Sequence, residues 1–347
     1  MCILAVLLGS IPVIGAVCIW TVNILTNGIG AVALVVSRIP GASLVLGEPG
    51  ILRLAAYISA CAALYYLLEG KKIKTGAFTA AALSLYAVIF MVTVFSQTAN
   101  FTFVNVNHGD CMIFRNNKIT VMFDSGGSEI SDVAENIVIP YLNKAGINKI
   151  DVAFITHYHS DHCKSYVKLL EKGRIKRIVM PKNVCDAELR KELLEAAKKS
   201  NAVVNYIKGG EKLAFGDLNV STCNTYRDDE INNGMIYAVS YGECSVCVAG
   251  DVNKDGELRA VPFAAANKCD ILKVPHHGSY TSSGSTFVKA VGASVAVISA
   301  SVNDKVSAET RKVLAGNVGC TYETAINGTV DFKVNKKRFV SVNLLKK

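Results

Sequence analysis

His157-Tyr158-His159-Ser160-Asp161-His162 places three imidazoles and a carboxylate within six residues of a 347-residue chain. Neutral imidazole and carboxylate are the ligands that zinc, manganese and similar divalent ions take. The chain has six His; three are here, and two more are adjacent in Val274-Pro275-His276-His277-Gly278-Ser279. So uneven a distribution argues against scattered surface or core histidines and for a metal centre. The alternative, a polar loop with no metal, leaves the convergence of ligand types unexplained. A bound divalent ion lowers the pKa of water from 15.7 towards ~7, so the chemistry expected is hydrolysis.

The cluster follows the apolar run Ile150-Asp151-Val152-Ala153-Phe154-Ile155-Thr156, a strand that ends at the ligand loop. Other stretches of strand length and pattern are 101–106, 111–115, 119–123, 177–180, 202–207, 235–241, 244–249, 270–274, 294–299 and 329–334, the last closing a sheet. Asn116-Asn117 and Gly242-Glu243 read as hairpin turns. Helical spacing marks 131–145, 164–171, 186–200 and 307–315. Strand runs followed by mixed strand and helix, twice over, predict two sheets with helices outside. Asp110 and Asp124 fall at the ends of early strands. There a carboxylate orients a ligating imidazole through its other ring nitrogen, or closes an Asx turn. Lys273, beside the second His pair, is placed to neutralise a phosphate or to hold its head in solvent. Ser279, Thr281, Ser282 and Ser283 offer hydroxyls to phosphate oxygens, or cap a helix starting near Gly284.

Residues 1–96 carry only Arg38, Glu48, Arg53, Glu69, Lys71, Lys72 and Lys74 as charges, whereas the remainder holds 32 of the 37 Lys+Arg and 26 of the 28 Asp+Glu. That division predicts transmembrane helices in 1–96 and a catalytic domain in 97–347. Three runs approach the ~20 apolar residues of a bilayer crossing: 1–20, 51–68 and 76–95. The basic loop 70–74 lies between the last two. The positive-inside rule puts it in the cytoplasm and everything after Gln97 outside. Run 22–36 is shorter, is followed by Pro40, Gly41, Pro49 and Gly50, and reads as a membrane-surface or re-entrant helix. Run 1–20 lacks the basic n-region of a cleaved signal peptide; the abrupt hydrophobic start reads as the tail of a larger membrane domain. The net charge of +6 beyond residue 96 favours anionic partners, and a solvated basic surface accounts for it equally. Cys2, Cys18 and Cys61 read as small hydrophobes. Cys244 and Cys247 read as strand residues on opposite faces rather than a zinc knuckle.

These motifs resemble the metallo-β-lactamase superfamily. Residues 156–162 match its T-H-x-H-x-D-H, and Ala249-Gly250-Asp251 its T-G-D. Within it the chain resembles the ComEC family of DNA-uptake channels. Val104-Asn105-Val106-Asn107-His108-Gly109-Asp110 stands at that family's D-V-G-Q-G-D, and Phe123-Asp124-Ser125-Gly126-Gly127 at its I-D-G-G. Asp270-Ile271-Leu272-Lys273-Val274-Pro275-His276-His277-Gly278-Ser279 is close to D-V-L-K-V-P-H-H-G-S, the most family-specific block. The chain departs at Asn107-His108, where the family has G-Q, at Asn232-Asn233-Gly234, in the N-x-S region, and at Ser307-Ala308, where G-H-P is common. No His occurs between His162 and His276, so the superfamily's middle His ligand is missing.

The resemblance implies N-terminal transmembrane α-helices followed by an α/β metallo-β-lactamase-like αβ/βα sandwich. It implies one or two divalent ions, Zn or Mn. His157 and His159 hold one; Asp161 and His162 hold the second; Asp251 bridges them. One of His276 and His277 completes the second, and the other touches substrate. Asp161 is expected to orient the attacking water, and Lys273 with the Gly278-Ser279 amides to stabilise developing charge. Asp110, Asp124 and Ser279 are expected to support ligands or touch substrate, and His108 to be a hydrogen-bonded loop residue. The implied activity is cleavage of phosphodiester bonds in single- or double-stranded DNA during natural transformation, with the membrane and other competence proteins as partners. The ligand residues would serve other esters equally. A membrane-anchored hydrolase of a small ester or phosphodiester, and a degenerate DNA-binding module, therefore remain as alternatives.

Overall fold

Aromatic rings from two β-sheets meet in the middle of the larger unit of this protein. The computed structural model describes residues 12–37, 45, 47–48, 51–68, 81–82, 84–86, 98–183, 186–227 and 234–345. The chain divides into two compact units, Met1–Leu46 and Gly47–Lys347.

The first unit contains helix α1 (Pro12–Ser37), apolar on every face. Among the described residues, its stretch Val13–Val36 is the one helix long and apolar enough to cross a bilayer. Residues 22–36 are therefore not a separate re-entrant segment. Pro12 opens the helix where its missing N–H costs nothing, no breaker follows Trp20, and the Thr21 and Thr26 hydroxyls donate to carbonyls one turn back. In the second unit the expected run 51–68 is helical (α2, Ile51–Leu68). The basic loop 70–74 and most of 76–95 lie outside the described residues, as do Asn232 and Asn233.

The first sheet begins with β1 (Ala99–Phe103), β2 (Met112–Arg115), β3 (Thr120–Phe123), β4 (Val152–Phe154), β5 (Arg177–Pro181) and β6 (Val203–Ile207). The second contains β7 (Lys212–Phe215), β8 (Leu218–Asn224), β9 (Met235–Tyr241), β10 (Cys244–Ala249), β11 (Ile271–Lys273), β12 (Val295–Ile298) and β13 (Cys320–Glu323). The chain then returns to the first through β14 (Thr329–Val334) and β15 (Phe339–Leu345). The strand orders are β15-β14-β1-β2-β3-β4-β5-β6 and β13-β12-β11-β10-β9-β8-β7. In each sheet an antiparallel half gives way to a parallel half whose crossovers are helical. Helices α3 (Ile139–Lys144), α4 (Ser160–Glu171) and α5 (Ala187–Ser200) cover the first sheet. Helices α6 (Lys254–Ala266), α7 (Ser285–Val291) and α8 (Ala308–Ala315) cover the second. This is the αβ/βα sandwich.

Strand periodicity decides the layers. Val152 and Phe154 point between the sheets while Ala153 and Ile155 point to the helices, as a period of two requires. Phe123 and Phe154 stack at 4.8 Å, and Tyr237 packs against both from the other sheet. Each such ring, fully buried, contributes on the order of 2–3 kcal/mol. Tyr237 also donates its hydroxyl to Ile155 O at 2.6 Å, tying the second sheet to the strand that leads into the ligand loop. Cys244 joins the core between the sheets and Cys247 the outer layer, the opposite facing that strand spacing predicts.

Two elements differ from expectation. The helix expected over 131–145 is a π-helical turn (Ala134–Val138) followed by α3, because Pro140 in the first turn of α3 offers no N–H to continue the ladder. Strand β14 does not close its sheet: β15 pairs outside it. The residues of β15 from Val340 on are exposed on both faces, so no burial periodicity marks it.

Candidate metal centre

The loop after β4 and the first turn of α4 carry four donors. Helix α4 starts at Ser160, four residues before the spacing indicated, so Asp161 and His162 belong to the helix and not to a free loop. A carboxylate in the first turn also meets the positive end of the helix dipole. From the second sheet come Asp251, just after β10, and His276 and His277, just after β11. His276, His277 and Gly278 are three consecutive left-handed residues, φ +49°, +52° and +77°. Two of them are not glycine, a backbone cost of about 1–3 kcal/mol each, and that turn is what aims both rings.

The structure brings all seven proposed donors together. The ligand atoms of Asp161, His162, Asp251 and His277 lie within 4.8 Å of one another, as do those of His157, His159 and Asp251. His276 Nε2 stands 3.6 Å from Asp251 Oδ2. His159, Asp161, Asp251, His276 and His277 line a cleft of about 780 Å³ together with His108, Ser279, Tyr280, Asp304, Lys305 and Ser307, and His157 and His162 are buried behind it.

Behind the donors, every ring is held by its Nδ1 where a partner is seen. Asp124 accepts from Thr156 N (2.8 Å), Thr156 Oγ1 (2.6 Å) and His162 Nδ1 (2.9 Å). The expectation that Asp124 orients an imidazole thus has its geometry, and its φ of +53° serves the turn as well. Thr156 Oγ1 lies 3.1 Å from His157 Nδ1, and His277 Nδ1 donates to Ser299 O at 3.0 Å. Thr281 Oγ1 lies 3.1 Å from His276 Nδ1 and 3.0 Å from Ser279 Oγ. These contacts leave Nε2 of all four rings facing the centre. Gly109 completes the packing: a Cβ there would sit 2.1 Å from Asp161 O.

Lys273 is placed differently from expectation. It is 1% exposed, its ammonium pairs with Asp110 and donates to Ala249 O at 3.0 Å, and it does not line the cleft. A strand residue on the helix-distal face has no route to solvent here, so it finds a buried carboxylate. Asp110 in turn lies 3.5 Å from His162 Nδ1 and 3.6 Å from His277 Nδ1. The Ser279 amide is taken by His276 O, which leaves its hydroxyl to the cleft.

His108 shows an arrangement that spacing did not reveal. Its Nδ1 lies 3.0 Å from both oxygens of Asp304, and its Nε2 lies 3.3 Å from Asp161 Oδ2. Asp304 is 196 residues away and belongs to no motif. Bonding to Asp161 and then to Asp304, against partial burial, lifts His108 to about 9.

The electrostatics show what the cluster lacks. Burial disfavours charge on His162 and His277, yet Asp251 and other carboxylates outweigh it and raise both. Burial and neighbouring His162 push His157 well down. Burial alone would raise Asp251, but the imidazoles of His162 and His277 bring it well below the usual carboxylate range. His162 Nε2 and Asp251 Oδ1 lie 3.1 Å apart, yet both are buried without a hydrogen bond, as are His157 Nε2 and Asp110 Oδ1. Buried polar atoms are rarely left so. Lone pairs of nitrogen and oxygen converging on common points require positive charge between them, and the donor set is that of a zinc or manganese site. The residues fit a divalent ion.

The profile of the metallo-beta-lactamase superfamily matches residues 104–302. The chain is 26% identical over 244 residues to ComE operon protein 3 of Bacillus subtilis, covering 65% of this chain and 31% of that one. It is 27% identical over 180 residues to competence protein ComA of Neisseria gonorrhoeae, covering 52% and 24%. The chain thus spans a third or less of these relatives. Among solved structures, the metallo-beta-lactamase fold protein YhfI from Bacillus subtilis aligns with a TM-score of 0.49 at 14% identity, covering 67% of this chain and 99% of that one. A profile match over more than half of the chain places it in the metallo-β-lactamase superfamily, and its curated relatives are competence proteins of the ComEC family.

Proposed function

We propose that this chain is a membrane-associated, metal-dependent hydrolase that cleaves phosphodiester bonds of DNA during uptake of exogenous DNA. The observation that carries the reading is a donor cluster in two groups sharing Asp251, beside an open cleft, in which His157 Nε2, His162 Nε2 and Asp251 Oδ1 are buried without a hydrogen bond. A divalent ion bound there would acidify water and neutralise phosphate charge. The protein's own groups do the rest. Asp161, on the cleft wall, orients the attacking water. His277 is fixed on Ser299 O with its Nε2 toward the centre, and His108, held by Asp304, keeps Asp161 in place. The Ser279 hydroxyl and the exposed Lys305 ammonium meet phosphate oxygens in the same cleft. Lys273 acts from behind, by holding Asp110. The DNA substrate rests on the relatives' competence roles and on the +6 charge, not on the ligands.

Residues 1–96 are proposed as the membrane part and 97–347 as the hydrolase domain, outside the cytoplasm. Cys320 is exposed, so a membrane-impermeant maleimide should label it on intact cells and should not label a Cys320→Ser variant to the same extent. The activity test uses the full chain in detergent with labelled single- and double-stranded DNA, with and without Mn²⁺ or Zn²⁺. Metal-dependent cleavage abolished by Asp161→Ala is expected. Cleavage of small esters alone, or salt-sensitive binding without turnover, would overturn the proposal.

A further inference from the structure

Asp251 presents its two oxygens to different imidazoles. Oδ1 lies 3.1 Å from His162 Nε2 and 3.6 Å from His277 Nε2. Oδ2 lies 3.6 Å from His276 Nε2 and 3.9 Å from His157 Nε2. The Oδ1 side already has four donors with Asp161, His162, Asp251 and His277. The Oδ2 side has three, His157, His159 and Asp251, one fewer than its neighbour.

His276 is the remaining imidazole on that side. It lines the cleft, is only partly buried, and directs its Nε2 to within 3.6 Å of Asp251 Oδ2. Its Nδ1 is engaged by Thr281 Oγ1, itself bonded to Ser279 Oγ. That is how a ligating histidine is held, through the ring nitrogen that does not bind the ion. The consecutive left-handed backbone at His276 and His277 separates the two rings by 6.3 Å between centroids at 72°, so adjacent residues serve different sides of Asp251.

We infer that His276 is the fourth protein ligand of the ion on the Oδ2 side, oriented by Thr281, and that His277 belongs to the other ion. The inference rests on the metal-centre reading above and assigns its second histidine pair.

Metal binding tests it without reference to turnover. The full chain in detergent is dialysed against Mn²⁺ or Zn²⁺ and bound metal is counted. Electron paramagnetic resonance reports whether two Mn²⁺ ions are coupled. The wild type should bind two ions, coupled when both are Mn²⁺. His276→Gly removes the ring and relaxes the left-handed backbone. It should keep one tight ion, bind the second at least 10-fold more weakly and lose the coupling, with free imidazole restoring part of it. Thr281→Val should weaken the same ion by roughly 10-fold, and His277→Ala should weaken the other. Two ions of unchanged affinity in His276→Gly would overturn the inference and leave the metal centre standing; a fall in turnover alone would then make His276 a substrate contact. A wild type that binds one ion also overturns the inference, and one that binds none removes the centre itself.

Discussion

Replacing Glu257 with Gln isolates one buried charge that braces the cleft. Glu257, on α6, is 1% exposed and accepts from Ser283 N at 2.5 Å and Gly284 N at 2.6 Å. It therefore fixes the start of α7 and the end of the loop that carries Ser279 and Thr281. Burial outweighs these two amides and the nearby Lys254 and lifts its carboxyl from 4.5 to about 7. The folded state thus holds the proton more tightly than the unfolded chain does. The stabilisation is fully present below pH 4.5 and is lost as pH rises through 7. A shift of about 2.5 units corresponds to about 3 kcal/mol at 1.36 kcal/mol per unit. At roughly 2–4 °C per kcal/mol for a domain of this size, wild type should lose about 6–12 °C more than Glu257→Gln between pH 4.5 and pH 8.5. At the acid end the two should melt alike, because an amide and a protonated carboxyl each present one carbonyl acceptor. Melting is followed by circular dichroism on the full chain with chelator present, so that bound metal does not contribute. Parallel pH slopes would refute the reasoning. So would a wild type that gains stability relative to the variant on raising the pH, which would mean that the two amide bonds prevail over burial.

Gly109→Ala should displace Asp161, because the new Cβ falls 2.1 Å from Asp161 O at a φ of +110°. Metal affinity should fall by more than about 10-fold, whereas Gly173→Ala, at φ +61° with open space, should cost only ~1–2 kcal/mol in a melt. Asp124→Asn removes a charged acceptor from Thr156 and His162, and dialysis should show a roughly 10–100-fold weaker ion at His162. Lys273→Met leaves Asp110 buried without its ammonium partner and should cost about 3–5 kcal/mol. Adding Asp110→Leu should recover much of that stability, measured by denaturant titration, without restoring metal affinity.

The candidate donors were legible because chemistry-bearing residues are crowded in sequence at 157–162 and 276–277, and each crowd follows a strand that reads plainly from its apolar run. The two-layer plan was legible from the order of the elements, strand runs followed by mixed strand and helix, twice over. The partnerships were not. Asp304 meets His108 across 196 residues, and nothing local distinguishes it from any surface aspartate. Lys273 reads as a charged side chain near a site, and only the tertiary placement of Asp110 shows why it is buried. Strands β7, β13 and β15 were missed because they are largely exposed, β8 because Asn219, Ser221, Thr222 and Asn224 leave it few apolar positions, and α6 because Pro262 interrupts its pattern. The break in 131–145 was visible as Pro140, but its consequence depends on how the chain packs before α3.

Neither sheet owns the centre. His157, His159, Asp161 and His162 hang from one, Asp251, His276 and His277 from the other, and the hydroxyl of Tyr237 is the stitch beside the seam. A nascent chain with the halves apart carries fragments of a chelator and no vessel to work in. Metal affinity would in that sense report that assembly is finished, and a lesion that merely loosens the seam should lower it while every candidate donor is still in place.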